Sequence, residues 1–140
     1  MSAFSKAIRR RLPRYALPLA APVTEAGIIA MPAGDFVQVS NGREVRFVAH
    51  LEFRAASGAS RGNHYHHART EWVTVIRGRP RARFADVESG ELCEMTLEAG
   101  DQVEMRPGCA HSYTAIEDAA AIECSTHEVD PADSVPFAFD

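Results

Sequence analysis

The chain predicts an all-β fold, a sandwich or closed barrel. Short apolar runs recur at regular spacing, and several alternate apolar and polar residues with the period of two that a half-buried strand requires. Turns containing Gly or Pro separate the runs. Outside the N-terminal stretch no helical period of useful length is present.

In chain order, the N-terminal stretch is basic, with Arg9-Arg10-Arg11 and Arg14 ahead of an apolar segment broken by Pro18 and Pro22. That segment is too short and too interrupted for a secretory signal. Residues 1–22 therefore read as an arm, helical over Ser2–Leu12 and extended after it, suited to lying on a neighbouring subunit. Residues 23–140 read as one barrel domain. Gly27–Met31 and Phe36–Ser40 are brief apolar runs split by Pro32-Ala-Gly-Asp35. Asn41-Gly42 is a hairpin signal. From Val45 to Phe53, apolar Val45, Phe47, Ala49, Leu51 and Phe53 alternate with Arg46, Val48, His50, Glu52 and Arg54. Trp72–Arg77 is closed by Gly78, and Arg81–Val87 turns at Ser89-Gly90 into Leu92–Leu97. Gln102–Met105, His111–Ile116 and Ala120–Ser125 complete the strands. The tail from Asp130 to Asp140 is expected to run extended over the barrel.

Composition sets broad limits. In 140 residues, 46% are hydrophobic and 24% charged, an ordinary globular balance able to bury a core without disulfides. A net charge of -4 argues against nucleic acid as partner. No run of eighteen apolar residues is present, so no transmembrane helix and no membrane partner are expected. Cys93, Cys109 and Cys124 are odd in number and widely spaced, which suits a reducing cytoplasm.

The chemistry gathers between Gly58 and Gly78. On a strand, His64 and His66 point one way while Tyr65 and His67 point the other. A short turn through His67–Thr70 returns the chain so that Glu71 starts the next strand beside them. Two imidazoles and a carboxylate on one face make three ligands of a transition-metal site. His111, after the turn Arg106-Pro107-Gly108, supplies a fourth. Three His and one Glu leave coordination positions open, in the style of a catalytic rather than a structural centre. The set suits one divalent transition metal per chain without choosing it: Zn2+, Fe2+, Mn2+ and Ni2+ all accept imidazole with carboxylate. A pocket that binds its ligand without metal is the plainer alternative. Tyr113, two residues after His111, shares the metal's face and is a candidate catalytic acid, or else fills the barrel mouth. His50 is a candidate base if its polar face lines the cavity, and an ordinary surface histidine if that face meets solvent. His67 reads as a surface residue, and His127 carries no role.

These residues resemble the cupin family. Its first motif is matched by Gly58, His64, His66, Glu71 and Gly78, and its second by Gly100, Gly108 and His111. Arg106 stands where that motif has proline and Ala115 where it has asparagine; neither is a ligand position. The resemblance implies a double-stranded β-helix, the RmlC-like jelly-roll barrel, and a homodimer built by packing sheets and exchanging N-terminal strands. Arg61-Gly62 before His64 resembles the sugar-nucleotide branch, the dTDP-4-keto-6-deoxyhexose epimerases and ketoisomerases, in which the arginine holds the diphosphate. The longer run Arg61–His66 with Thr70-Glu71, and the tail with Asp130-Pro131 and Pro136-Phe137, look like the C-terminal cupin domain of bifunctional UDP-sugar reductases of capsule biosynthesis. That domain binds zinc and epimerises a 4-keto sugar, and this chain is expected to be the cupin half alone.

The resemblance implies an isomerase or epimerase of a 4-keto nucleotide sugar, working through a metal-stabilised enolate. His64, His66, Glu71 and His111 would hold the metal, Tyr113 or His50 would move the proton, and Arg61 would bind the substrate's diphosphate. In the metal-free sugar epimerases a histidine of the same motif is the base, so His64 has two competing roles. Two further classes stay open. One is an Fe(II)-dependent dioxygenase, or a zinc-dependent cyclase or lyase of secondary metabolism, acting on a small organic substrate. The other is a non-catalytic module that binds a small molecule.

Overall fold

The computed structural model describes residues 5–139. The strands are β1 (Ala7–Arg11), β2 (Arg14–Ala16), β3 (Gly27–Ala30), β4 (Phe36–Gln38), β5 (Phe47–Phe53), β6 (Arg61–Tyr65) and β7 (Glu71–Arg77). They continue with β8 (Pro80–Asp86), β9 (Leu92–Thr96), β10 (Asp101–Met105), β11 (Cys109–Ala115), β12 (Ala119–Ser125) and β13 (Val135–Pro136). Two short 3-10 turns, Ala55–Ser57 and Pro131–Asp133, interrupt them. Among the described residues no helix is long and apolar enough to cross a membrane.

Two five-stranded antiparallel sheets make the barrel, in the orders β1-β10-β7-β12-β5 and β13-β6-β11-β8-β9. This is the all-β jelly roll the sequence predicts, a cupin fold. Alternation along each strand selects the inner residues. In the first sheet these are Phe53, Val73, Val75, Val103, Met105, Ala119 and Ala121; in the second, Ala82, Phe84, Cys109 and Tyr113, all packed into one core with Leu97. A third, small sheet, β2-β3-β4, lies apart, with Leu12, Ala26 and Ile28 as its own core.

Gly78 shows why the first motif ends in glycine. Its φ is +76°, and a Cβ there would meet the Asp118 carbonyl oxygen at 2.1 Å. The turn after β7 can pass the turn before β12 only without a side chain.

Two expectations are corrected. The described part of Ser2–Leu12 is not helical: Ala7–Arg11 is β1, paired along its length with β10 of the same chain. Each residue of β1 finds a partner on an open sheet edge, which outweighs a weak local preference for helix. Residues 2–4 lie outside the described part of the chain. Nor does Asn41-Gly42 join two paired strands, because β4 belongs to the small sheet and β5 pairs with β12. The turn serves instead as a passage between sheets. The tail does run along the barrel, through the Pro131–Asp133 turn and then beside β6 as β13.

Candidate functional site

The second sheet delivers three imidazoles. His64 on β6 pairs directly with His111 on β11, and the register shifts just beyond, between His111 and Ser112. Gly62 and Asn63 take left-handed conformations, at φ +97° and +60°. A Cβ on Gly62 would stand 2.7 Å from the His111 carbonyl oxygen, so glycine is what permits β6 and β11 to close up. Asn63, one of the few residues that tolerates this region, donates to the Ser60 hydroxyl at 2.8 Å. The rings of His64, His66 and His111 converge, with potential ligand atoms all within 4.8 Å of one another. Tyr65 and His67 pack edge to face on the other side, as alternation requires.

The first sheet brings the carboxylate. Glu71 opens β7 and is 2% exposed. Its Oε1 lies 3.4 Å from His66 Nε2 and 3.3 Å from His111 Nε2. Both imidazoles have Nδ1 against a backbone carbonyl, His66 on Asp133 and His111 on Cys109 at 3.2 Å. With the Nδ1 proton donated there, each Nε2 offers a lone pair to the cavity. His66 Nε2 and Glu71 Oε1 are both buried without a hydrogen-bond partner. Two acceptors that face each other this closely, both unsatisfied, fit a shared cation better than they fit each other.

The electrostatics are lopsided. Burial, with the charges of His111 and His66, pushes His64 down to about 4. Burial likewise lowers His111. His66 is raised: burial works against its charge, but the contacts to Glu71 and the Asp133 carbonyl outweigh it. Burial opposes ionisation of Glu71 too, yet His66, His111 and Arg69 together hold it at about 2. Glu123 goes the other way, raised by burial and by its neighbour Glu71 to about 7.

Arg69 and Glu123 are site residues that the sequence reading does not pick out. Arg69 is 7% exposed and donates to Glu71 Oε2 at 2.8 Å, with Glu123 Oε2 3.7 Å away. Arg69 sits in the turn before β7, where strand parity carries no information. Glu123 did carry a signal, as the one charged residue in Ala119–Ser125 and of the same parity as inward Ala121.

The other candidates divide. Tyr113 is buried among the core residues and its ring centre lies 5.9 Å from that of His111. Its hydroxyl donates to Met105 Sδ at 2.9 Å, and burial raises it well above 10. Arg61 is exposed at the mouth, donating to the Glu52 carbonyl at 3.1 Å. His50 is not brought to the site. On β5, Ala49, Leu51 and Phe53 turn toward the interior while Val48, His50 and Glu52 are exposed, so its face is the outer one. The imidazoles, Glu71, Arg69, Glu123 and Tyr113 line a cleft of about 580 Å³. A neighbouring cleft of about 500 Å³, which shares Arg61 and Tyr113 with it, adds Arg54, Ser57 and Ser60.

The fold and site define a cupin-type barrel with a histidine-lined cavity. Residues 33–128 match the polysaccharide biosynthesis C-terminal domain family, and the chain belongs to it. It is 34% identical over 91 residues to a UDP-2-acetamido-2,6-beta-L-arabino-hexul-4-ose reductase of Pseudomonas aeruginosa, a match covering 61% of this chain. The chain spans about a quarter of that relative's length, 23%. Among solved structures, it is similar to a dTDP-4-dehydrorhamnose 3,5-epimerase of Sulfolobus tokodaii, with TM-score 0.70 and 23% identity over 80% of this chain and 73% of that one. It is also similar to a sugar 3,4-ketoisomerase of Thermoanaerobacterium thermosaccharolyticum solved with TDP, with TM-score 0.71 and 11% identity over 94% and 88% of the two chains.

Proposed function

We propose that this domain epimerises or isomerises a 4-keto nucleotide sugar at a metal centre held by His64, His66, Glu71 and His111. The observation that carries the reading is the meeting of three imidazoles and one buried carboxylate in a cleft with Arg61 at its mouth. The named activities of the reductase and epimerase relatives point to the same substrate class. A divalent metal here would supply a Lewis acid for the C4 carbonyl oxygen.

The chain's own residues supply the rest. Arg61 offers a fork of donors to a diphosphate, with Arg54 beside it in the adjoining cleft. Epimerisation takes a proton from the carbon next to the ketone, leaves the electron pair on the resulting enolate, and returns a proton to the opposite face. No net oxidation occurs. Tyr113, kept protonated by burial, is suited to returning a proton and not to removing one. His50, on the outer face, takes no part. Zinc is the preferred metal, and a homodimer in a reducing cytoplasm completes the proposal; the three cysteines are free thiols.

A metal-free version has one observation in its favour. Arg69 already neutralises Glu71 through a buried contact at 2.8 Å, so the pocket's charge is partly balanced without a cation. In that version His64, neutral at pH 7, is the base that removes the proton.

Elemental analysis of protein purified without chelator, together with a thermal-shift screen of nucleotides and nucleotide sugars, separates these readings. Zinc near one per chain, stabilisation by UDP or dTDP, and deuterium entry from heavy water into a 4-keto sugar nucleotide are the expected results. Deuterium entry in metal-stripped protein would select the metal-free version. Iron near one per chain without a nucleotide effect would turn the assignment to a dioxygenase. Ligand binding without turnover would leave a binding module.

A further inference from the structure

We propose that the C-terminal segment Val129–Phe139 is a working part of the site, a strap in which Asp133 is the positioning residue for His66. Three attachments hold the strap to β6 and the loop after it. The Asp133 carboxylate accepts from two consecutive backbone amides, His67 N at 2.6 Å and Ala68 N at 3.2 Å. The Asp133 carbonyl accepts from His66 Nδ1. Further along, Val135 pairs with Tyr65, and Phe137 N donates to the Asn63 carbonyl at 2.9 Å. Asp130 caps the short turn by accepting from Ala132 N at 3.0 Å, which fixes the carbonyl that His66 meets.

The three imidazoles are not held alike. His111 is held from within its own strand, by the carbonyl of Cys109 two residues earlier. His66 borrows its carbonyl from a residue 67 positions later, so its orientation depends on the strap staying down. The residues matched by the family end at 128, immediately before the strap begins. Val129, Asp130 and Ser134 also line the cleft, so the strap borders the space a substrate would enter. A carbonyl at Nδ1 keeps the proton on that nitrogen and the lone pair on Nε2, facing Glu71. Where metal affinity is concerned, the inference rests on the metal reading above; the tautomer does not.

The test compares Asp133→Ala and Asp133→Asn with the unaltered chain. The His66 tautomer is read from nitrogen-15 NMR of metal-stripped protein at pH 9, and zinc affinity from competition with a chromophoric chelator. Asp133→Ala should shift His66 from the Nδ1–H form toward a mixture and weaken zinc by about 10- to 100-fold, the usual effect of losing a partner behind a ligand. Asp133→Asn retains one acceptor for the amides and should lose less than about tenfold. An unchanged tautomer in Asp133→Ala would overturn the proposal. If the unaltered protein takes up no zinc, the metal reading fails and the tautomer alone decides the strap. If Asp133→Ala does not fold, Asp133→Asn decides: losing one of the two amide contacts should give a smaller shift of His66 toward the mixture, and an unchanged tautomer would count against the strap.

Discussion

The two sides of one barrel interior are built from opposite materials. In a single row across the second sheet, His64 and His111 are followed by Phe84 and Cys93. In the first sheet, Glu71 and Glu123 stand toward the β6–β11 side while Val75 and Val103 fill the rest, with Leu97 from the turn before β10 packed among them. The apolar side gains from removing hydrocarbon from water, roughly 25 cal/mol per Å². The polar side desolvates charge, which costs free energy unless each group is paired. The difference teaches that apolar packing between the sheets holds the barrel together, so that β6, β7, β11 and β12 can also carry buried charges that are costly unless paired.

Substitutions on the two sides should separate stability from binding. The largest effect on stability belongs to Phe84, fully buried at the centre of the apolar side. Phe84→Ala should destabilise by about 3–5 kcal/mol in denaturant unfolding, through lost transfer energy and the cavity left behind. His111→Ala should do the reverse: zinc affinity, read by chelator competition, should fall by more than about 100-fold, with metal-free stability within about 2 kcal/mol of the unaltered chain. A large loss of metal-free stability would show that the imidazoles also hold the fold, and the division proposed here would not stand.

A smaller effect is expected at Glu123. Its carboxyl is raised from 4.5 to about 7 by burial and by Glu71. Across that window the folded protein keeps a proton that the unfolded chain has released, so stability falls as pH rises. Glu123→Gln should remove this slope, so that Tm at pH 8 exceeds that of the unaltered protein by a few degrees, on the order expected for 1 kcal/mol. Equal slopes in the two proteins would contradict the assignment. The smallest effect is chemical. Burial first, then the charge of Asp86, push the Cys109 thiol up to about 12. At pH 8 Cys109 should resist iodoacetamide in the folded protein and react on unfolding, as followed by peptide mass; modification of the native chain would mean that the apolar side opens.

The same division explains what the sequence disclosed. The cluster of imidazoles and carboxylate was legible because strand parity is local: His64 and His66 share a face by alternation alone, and Glu71 and His111 stand at fixed offsets from turns marked by glycine. The barrel was legible from short alternating runs. What stayed hidden depends on contacts distant along the chain. Arg69 lies in a turn, and only the fold folds it inward onto Glu71 and Glu123. His50 was ambiguous because β5 has Val48 on its outer face, so composition did not tell inside from outside; pairing with Ile122 on β12 does. The N-terminal strand was missed because its partners on β10 lie 90 to 98 residues later in the chain.

Gly62 carries a consequence for anyone randomising this pocket. The His64–His111 separation is set by two backbones in contact, with the 2.7 Å approach of a would-be Cβ as the limiting clearance. A library at His64 would explore alternative donor atoms in an unchanged frame, whereas a library at Gly62 would move the frame itself. Selection for binding of a chosen ligand should therefore return varied answers at position 64 and a single letter at position 62.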